Sequence, residues 1–167
     1  MDWCRKTVDG VRLHLDVSET RLLAYLGRQL RRMLASGDPR AAALRAFHPP
    51  QQRDRDPEAF ASEMDADMDA ALMRHRLERI DSMAAEMPDP EDPDGLTLVL
   101  GPERADSWLA YLADLRLLLG GVLGITTENG NRIGEGDPAD WTPETRMYVF
   151  LSALQENLLQ QILGDGV

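Results

Sequence analysis

Asp65, Asp67 and Asp69 alternate through an acidic stretch in the way a calcium-binding loop begins. Such a loop also needs glycine at its sixth position and a bidentate glutamate at its twelfth, and here those positions hold Ala70 and Arg76. Glu63, Asp67 and His75 invite a metal, but no Glu-x-x-His pair accompanies them as a di-iron bundle would demand. His14, His48 and His75 fall on a strand, a loop and a helix, and no serine or cysteine joins them in a nucleophilic motif. Gly130, Gly134 and Gly136 share the composition of a phosphate loop without the preceding strand or the Gly-Lys-Ser/Thr that follows one. The chain therefore reads as non-enzymatic, with no catalytic residue, no metal site and no cofactor.

Two further groups of residues bear on chemistry. Cys4 is the single cysteine, which excludes an internal disulfide and any multi-thiolate zinc site. On the inner face of a strand it is a small buried hydrophobe; exposed beside Arg5 and Lys6 it would be a reactive thiolate and a redox candidate. Arg28, Arg31, Arg32, Arg40 and Arg45 gather around a helix, a Gly37-Asp38-Pro39 turn and a second, short helix. A recognition helix must offer polar side chains to base edges, whereas Ala41, Ala42, Ala43, Leu44 and Ala46 offer none, so direct nucleic-acid readout is disfavoured.

Charge is distributed unevenly along the 167 residues. Residues 1–55 hold eleven basic and six acidic side chains, a net of +5, and residues 56–167 hold seven and twenty-three, a net of -16; together they make the overall -11. An acidic surface repels phosphate backbones and suits a basic protein partner. No apolar run is long enough to span a bilayer and the N-terminus lacks the apolar core of a signal peptide, so a cytoplasmic location is expected. With 43% apolar and 28% charged residues, the length fits one domain, 1–167.

Positioning these residues calls for a mainly helical α+β fold. Asp9-Gly10 signals a two-residue hairpin turn, with Val8 opposite Val11, Lys6 opposite Leu13 and Cys4 opposite Leu15. Asp16 with Glu19 opens a helix over 17–36 whose stripe is Leu22, Leu23, Leu26, Leu30, Met33 and Leu34, and Gly37 ends it. A short helix runs from Asp38-Pro39 to near His48. Asp56-Pro57-Glu58 opens a long helix over 57–87, whose apolar face begins as Phe60, Met64 and Met68 and shifts to Met73, Leu77 and Ile80. Residues 88–94 form an acidic, proline-rich linker in which Asp89, Glu91, Asp92 and Asp94 are the candidate partner-binding charges. Residues 96–100 make a strand that joins the hairpin, 126–141 a mobile loop, and 143–163 a final helix carrying Met147, Leu151, Leu154, Leu158 and Ile162, closed by Gly164. The expected architecture is a bundle of four long helices and one short one, with a small antiparallel sheet built from both halves.

The helix expected over 102–123 is the most informative. Trp108, Leu112, Leu115, Leu119 and Val122 fall three or four apart on one face, and Gly124 with Ile125 completes a left-handed stop. Asp114, Arg116 and Gly120 interrupt an otherwise apolar run, and a buried Arg116 must find a carboxylate. The pattern Trp-Leu-x-x-Leu-x-Asp-Leu-Arg-Leu-x-Leu-Gly-x-x-Leu-Gly-Ile over 108–125 resembles the signature of an actinobacterial domain-of-unknown-function family. That family includes the oxidative-stress transcriptional regulator AosR and is often encoded beside the Clp adaptor ClpS. The remaining elements occur in the family's order, so the resemblance spans most of the chain.

The resemblance implies a transcriptional regulator that holds an ECF sigma factor and does not itself read DNA. It also implies redox control through two hairpin cysteines seven apart; Cys4 matches the first, and Val11 stands where the second would be, so no intramolecular switch is open to this chain. The expectation is a regulator whose partner is a protein, an ECF sigma factor or, in a second reading, a Clp component in an adaptor role. A DNA-binding regulator ranks third.

Overall fold

The computed structural model describes residues 2–41, 59–88, 92–125 and 128–164, without the side chains of 59–63, 65 and 131. Strands β1 (Cys4–Thr7), β2 (Gly10–Leu15) and β3 (Leu96–Leu100) form an antiparallel sheet in the order β1-β2-β3. Among the described residues four helices pack together, three of them on the sheet: α1 (Val17–Ser36), α2 (Ala59–Glu86), which packs on other helices, α3 (Pro102–Leu123) and α4 (Pro143–Leu163). The expected mainly α architecture with a small sheet from both halves is the observed one. Of the expected short helix, Pro39–Ala41 forms a 3-10 turn and the rest lies outside the described residues, as does the start of the long helix at 56–58.

The hairpin register differs from the sequence expectation. Cys4 faces Leu13, Lys6 faces Val11 and Thr7 faces Gly10, so Val8 and Asp9 make the turn and Gly10 begins β2. Gly10 belongs in the strand because its φ is +142° and any Cβ there would run into the Leu100 carbonyl across the sheet. The displacement is two residues, and side chains alternate with period two, so the inner face survives. Cys4, Val11, Leu13 and Leu15 are all buried, while Val8 leaves that face and stands fully exposed at the tip.

The outer edge of β1 is closed by the last helix. Asn157 Oδ1 accepts from Cys4 N at 2.9 Å and Gln161 Oε1 from Lys6 N at 2.8 Å. Two strand residues advance ~6.7 Å and four helix residues ~6 Å, so amides at i and i+4 on α4 match alternate amides on β1. An edge with its donors already satisfied does not recruit another strand there.

Helix ends follow local chemistry. Asp16 and Glu19 form a reciprocal capping box, and Thr142 Oγ1 accepts from Thr145 N at the start of α4. Pro102 and Pro143 occupy first-turn positions, where a missing N–H costs nothing. Gly124, at φ +66°, ends α3, and Ile125 N reaches back to Gly120 O at 2.8 Å, as a Schellman motif requires.

The core lies between the sheet and α1, α3 and α4, and the residues expected to form it, Leu26, Leu30, Trp108, Leu112, Leu119, Leu151 and Leu158, are buried. Val122 is a correction: it is 39% exposed, on a groove that α3 shares with α1 and α4. Tyr111 and Leu118 are buried instead. The ring of Tyr111 meets Trp108 edge-on at 6.2 Å, and its hydroxyl fits against Gly27 of α1, where a Cβ would overlap the hydroxyl oxygen.

This contact yields a test of packing. Gly27→Ala is expected to cost about 1–3 kcal/mol by overpacking, since the fully enclosed ring cannot swing aside. Removing the hydroxyl relieves the overlap, because the next ring atom, Cζ, lies 3.5 Å from the new methyl. Gly27→Ala with Tyr111→Phe should therefore unfold in urea close to Tyr111→Phe alone. Strictly additive losses would show that the hydroxyl is not the obstacle.

Candidate functional site

Several polar residues of α3 reach a neighbouring helix. Asp114 is 2% exposed and takes a guanidinium on each oxygen: Arg76 Nη1 on Oδ1, and Arg79 Nη1 on Oδ2 at 2.9 Å. Arg76 and Arg79 are three apart on α2, one turn of one face, which is why both can converge on a single carboxylate. Burial works against the charge of both guanidiniums, and the charge of Arg79 adds to the effect on Arg76. Two cations around one anion leave a net positive centre, and Arg76 Nε is buried with no hydrogen-bond partner.

A second polar anchor sits one end further along. Glu86 Oε1 accepts from Arg104 Nη2 at 2.8 Å and Nε at 3.2 Å, while its Oε2 accepts from Trp108 Nε1 at 3.2 Å. The indole is thereby fully buried with its N–H satisfied. Arg31 pairs with Asp81 at 3.2 Å, but both are well exposed and such a pair adds little.

Arg116 does not find a carboxylate. Its Nη1 donates to Gln155 Oε1 at 2.7 Å, and the guanidinium lies 5.4 Å from the ring centroid of Tyr148, both on α4. An amide oxygen and an aromatic face take the place of the anion, and among the described residues the buried Arg116 Nε has no hydrogen-bond partner. The signature pattern is thus a set of cross-helix contacts: Trp108 and Asp114 to α2, Arg116 to α4, Leu112 in the core, Gly120 and Gly124 in the stop. Arg76, Arg79, Glu86 and Gln155 were not singled out from the sequence. Their spacing alone was the available signal, and it does not name a partner 18 to 39 residues away.

The acidic linker is only partly described. Asp89 and Glu91 lie outside the described residues. Asp92 is half-buried and its Oδ1 accepts from Asp94 N at 2.9 Å, whereas Asp94 is exposed. In the 126–141 segment, 126–127 fall outside, and the remainder contains 3-10 turns at Gly130–Arg132 and Pro138–Asp140, with Trp141 Nε1 donating to Glu135 O at 3.1 Å. Among the described residues no group of three or more His, Cys, Asp or Glu is arranged to hold a metal, and no helix is long and apolar enough to cross a membrane. Arg45 and most of the alanine-rich stretch beside it are not described.

Cys4 is 3% exposed on the inner face of β1, and burial pushes its thiol up to about 12 from 9.0. Val11 is buried on the same face, one rung diagonally from it. A thiol whose folded pKa is raised makes folding less favourable only as pH climbs from about 9 towards about 12, so stability at neutral pH does not depend on it. Iodoacetamide at pH 8 is accordingly expected to label Cys4 slowly in the native protein and readily in guanidinium, with peroxide leaving native Cys4 as the thiol. Equal labelling rates in the two states would place the thiol at the surface.

Comparison with curated proteins and with solved structures gives no match. A family model does match, over residues 1–162, and so takes in the hairpin, the packed helices and all of the cross-helix contacts of α3. The chain belongs to the family described as domain of unknown function DUF2017.

Proposed function

We propose that this chain is a non-enzymatic regulatory protein that works by binding another protein. The observation that carries the reading is on α2. Met73, Leu77, Ile80 and Met83 turn into the bundle, whereas Met64 and Met68 are 47% and 38% exposed. At ~100° per residue, Met64 and Met68 share one side of the helix and Ile80 lies roughly 160° away from Met64, on the other. The shift of apolar face seen in the sequence is therefore a change from an outward-facing side at Met64 and Met68 to a core-facing one.

Two methionines one turn apart on an acidic segment suit a groove in a partner. Helix-in-groove recognition uses anchors at this spacing, and methionine adapts its shape to an apolar surface. Asp67 stands exposed beside them, in the half of the chain with net charge -16, which favours a basic partner surface. The resemblance of the 108–125 signature to the oxidative-stress regulators adds the finer reading: the partner is an ECF sigma factor and the role is transcriptional control. Buried Cys4 without a second cysteine argues that any response to oxidants reaches this chain through its partner or its abundance, not its own thiol.

Affinity capture from the native cell tests this with wild type and Met64→Gln/Met68→Gln. An ECF sigma factor is expected to be retained by wild type, to elute earlier as salt rises, and to be retained ~10-fold or more less well by the double variant with unchanged melting temperature. Retention of a Clp component alone would favour the adaptor role, and retention of nucleic acid alone would favour a DNA-binding regulator. Either result overturns the sigma-factor reading.

A further inference from the structure

The outer face of the sheet carries an unbalanced positive pair. Arg5 on β1 and Arg12 on β2 are directly opposite in the antiparallel register, and both are exposed on the side away from the helices. Opposed like charges on adjacent strands destabilise a sheet unless an anion lies between them. Among the described residues neither guanidinium makes an ion pair or hydrogen bond, although the chain carries 29 acidic side chains against 18 basic ones. Asp2 stands at the rim of the same concavity and pairs with neither, and the nearby Glu19 is already engaged by Trp3 Nε1 at 2.7 Å and Asp16 N at 2.9 Å.

The next rung adds donors in the same place. His14 follows Arg12 by two residues and so shares its face, and its Nδ1 lies 2.8 Å from Thr97 Oγ1 on β3. That contact fixes the ring plane and leaves Nε2 with no protein partner among the described residues. Arg5, Arg12, His14 and Thr97, with Trp3 and Asp2 at the margin, line an open concavity of about 330 Å³. This lies at the lower end of the range for small-ligand sites, ~300–1,000 Å³.

We propose that this concavity binds a small phosphate-bearing ligand. Two guanidinium forks on adjacent strands can bracket a tetrahedral dianion, since planar paired N–H groups match phosphate oxygens, and an imidazole Nε2–H or the threonine hydroxyl supplies a further donor. Bound phosphate also removes the repulsion between Arg5 and Arg12. A concavity of this size on a chain of net charge -11 suits a compact anion better than a polyanionic strand, which the rest of the surface repels. The site lies on the sheet, apart from Met64 and Met68, and stands or falls independently of the partner reading.

Thermal unfolding tests it, with sodium phosphate, pyrophosphate and adenosine monophosphate as probes against sodium chloride at equal ionic strength. A phosphate probe at about ten times its Kd is expected to raise the melting temperature of wild type by ~3–6 °C beyond chloride. Whether inorganic phosphate or the nucleotide gives the larger shift identifies the source of the group. Arg5→Gln and Arg12→Gln should each abolish the shift while melting without ligand at or above the wild-type temperature, because each removes one member of a repelling pair. A shift that persists in both variants, or one no larger than chloride gives, would overturn the proposal. Tighter binding of a single-stranded oligonucleotide than of any small phosphate would overturn it too.

Discussion

Burying the carboxylate of Asp114 forces α2 and α3 together. A carboxylate at 2% exposure cannot remain ionised without partners, and both of its charged partners, Arg76 and Arg79, come from α2. An apolar face alone does not fix this helix. Only Ile80 and Met83 of its described side chains are buried, near its C-terminal end. The triad and the Glu86 anchor to Trp108 and Arg104 set where α2 lies, and with it which methionines face the core and which face outward. Breaking a buried pair by removing one partner typically costs ~3–5 kcal/mol, because the remaining charge is left uncompensated.

The polar groups on α3 divide the bundle's stability into two kinds. Between α3, α4 and the sheet, close-packed leucines and Trp108 do most of the work, as the burial of Leu112, Leu115, Leu151, Leu154 and Leu158 shows. Between α3 and α2, hydrogen-bonded charge predominates. Interactions of the second kind depend on geometry and lose strength if water enters, so an element held that way opens at lower free energy than one held by a continuous core. A helix held in that way can open without unfolding the rest of the bundle.

Much of this architecture was legible in the sequence because local chemistry sets it. Asp16 with Glu19, Gly37, Pro102, Gly124, Thr142 and Gly164 each act within a turn of their own position, and helix boundaries followed from them. Period-two alternation gave the buried face of the hairpin even with the cross-strand pairing displaced by two residues, since an even displacement preserves the face. What was not legible is long-range. Nothing near Arg76 or Arg79 announces Asp114, and the expectation that Arg116 would need a carboxylate if buried did not foresee a partly buried Arg116 meeting Gln155 and Tyr148. Val122 fitted the apolar stripe of α3, but spacing does not say whether the neighbouring helices close over it.

Native-state amide exchange of Asp114→Asn measures the central claim most directly. If the triad pins α2, amides over 70–86 in the variant should exchange roughly 100-fold or more faster than in wild type, corresponding to ~3 kcal/mol, while those of β2, α3 and α4 keep most of their protection. Unchanged protection of α2, or a uniform loss throughout the protein, would contradict it: the first would mean that apolar packing alone holds the helix, the second that α2 has no separate stability for Asp114 to control.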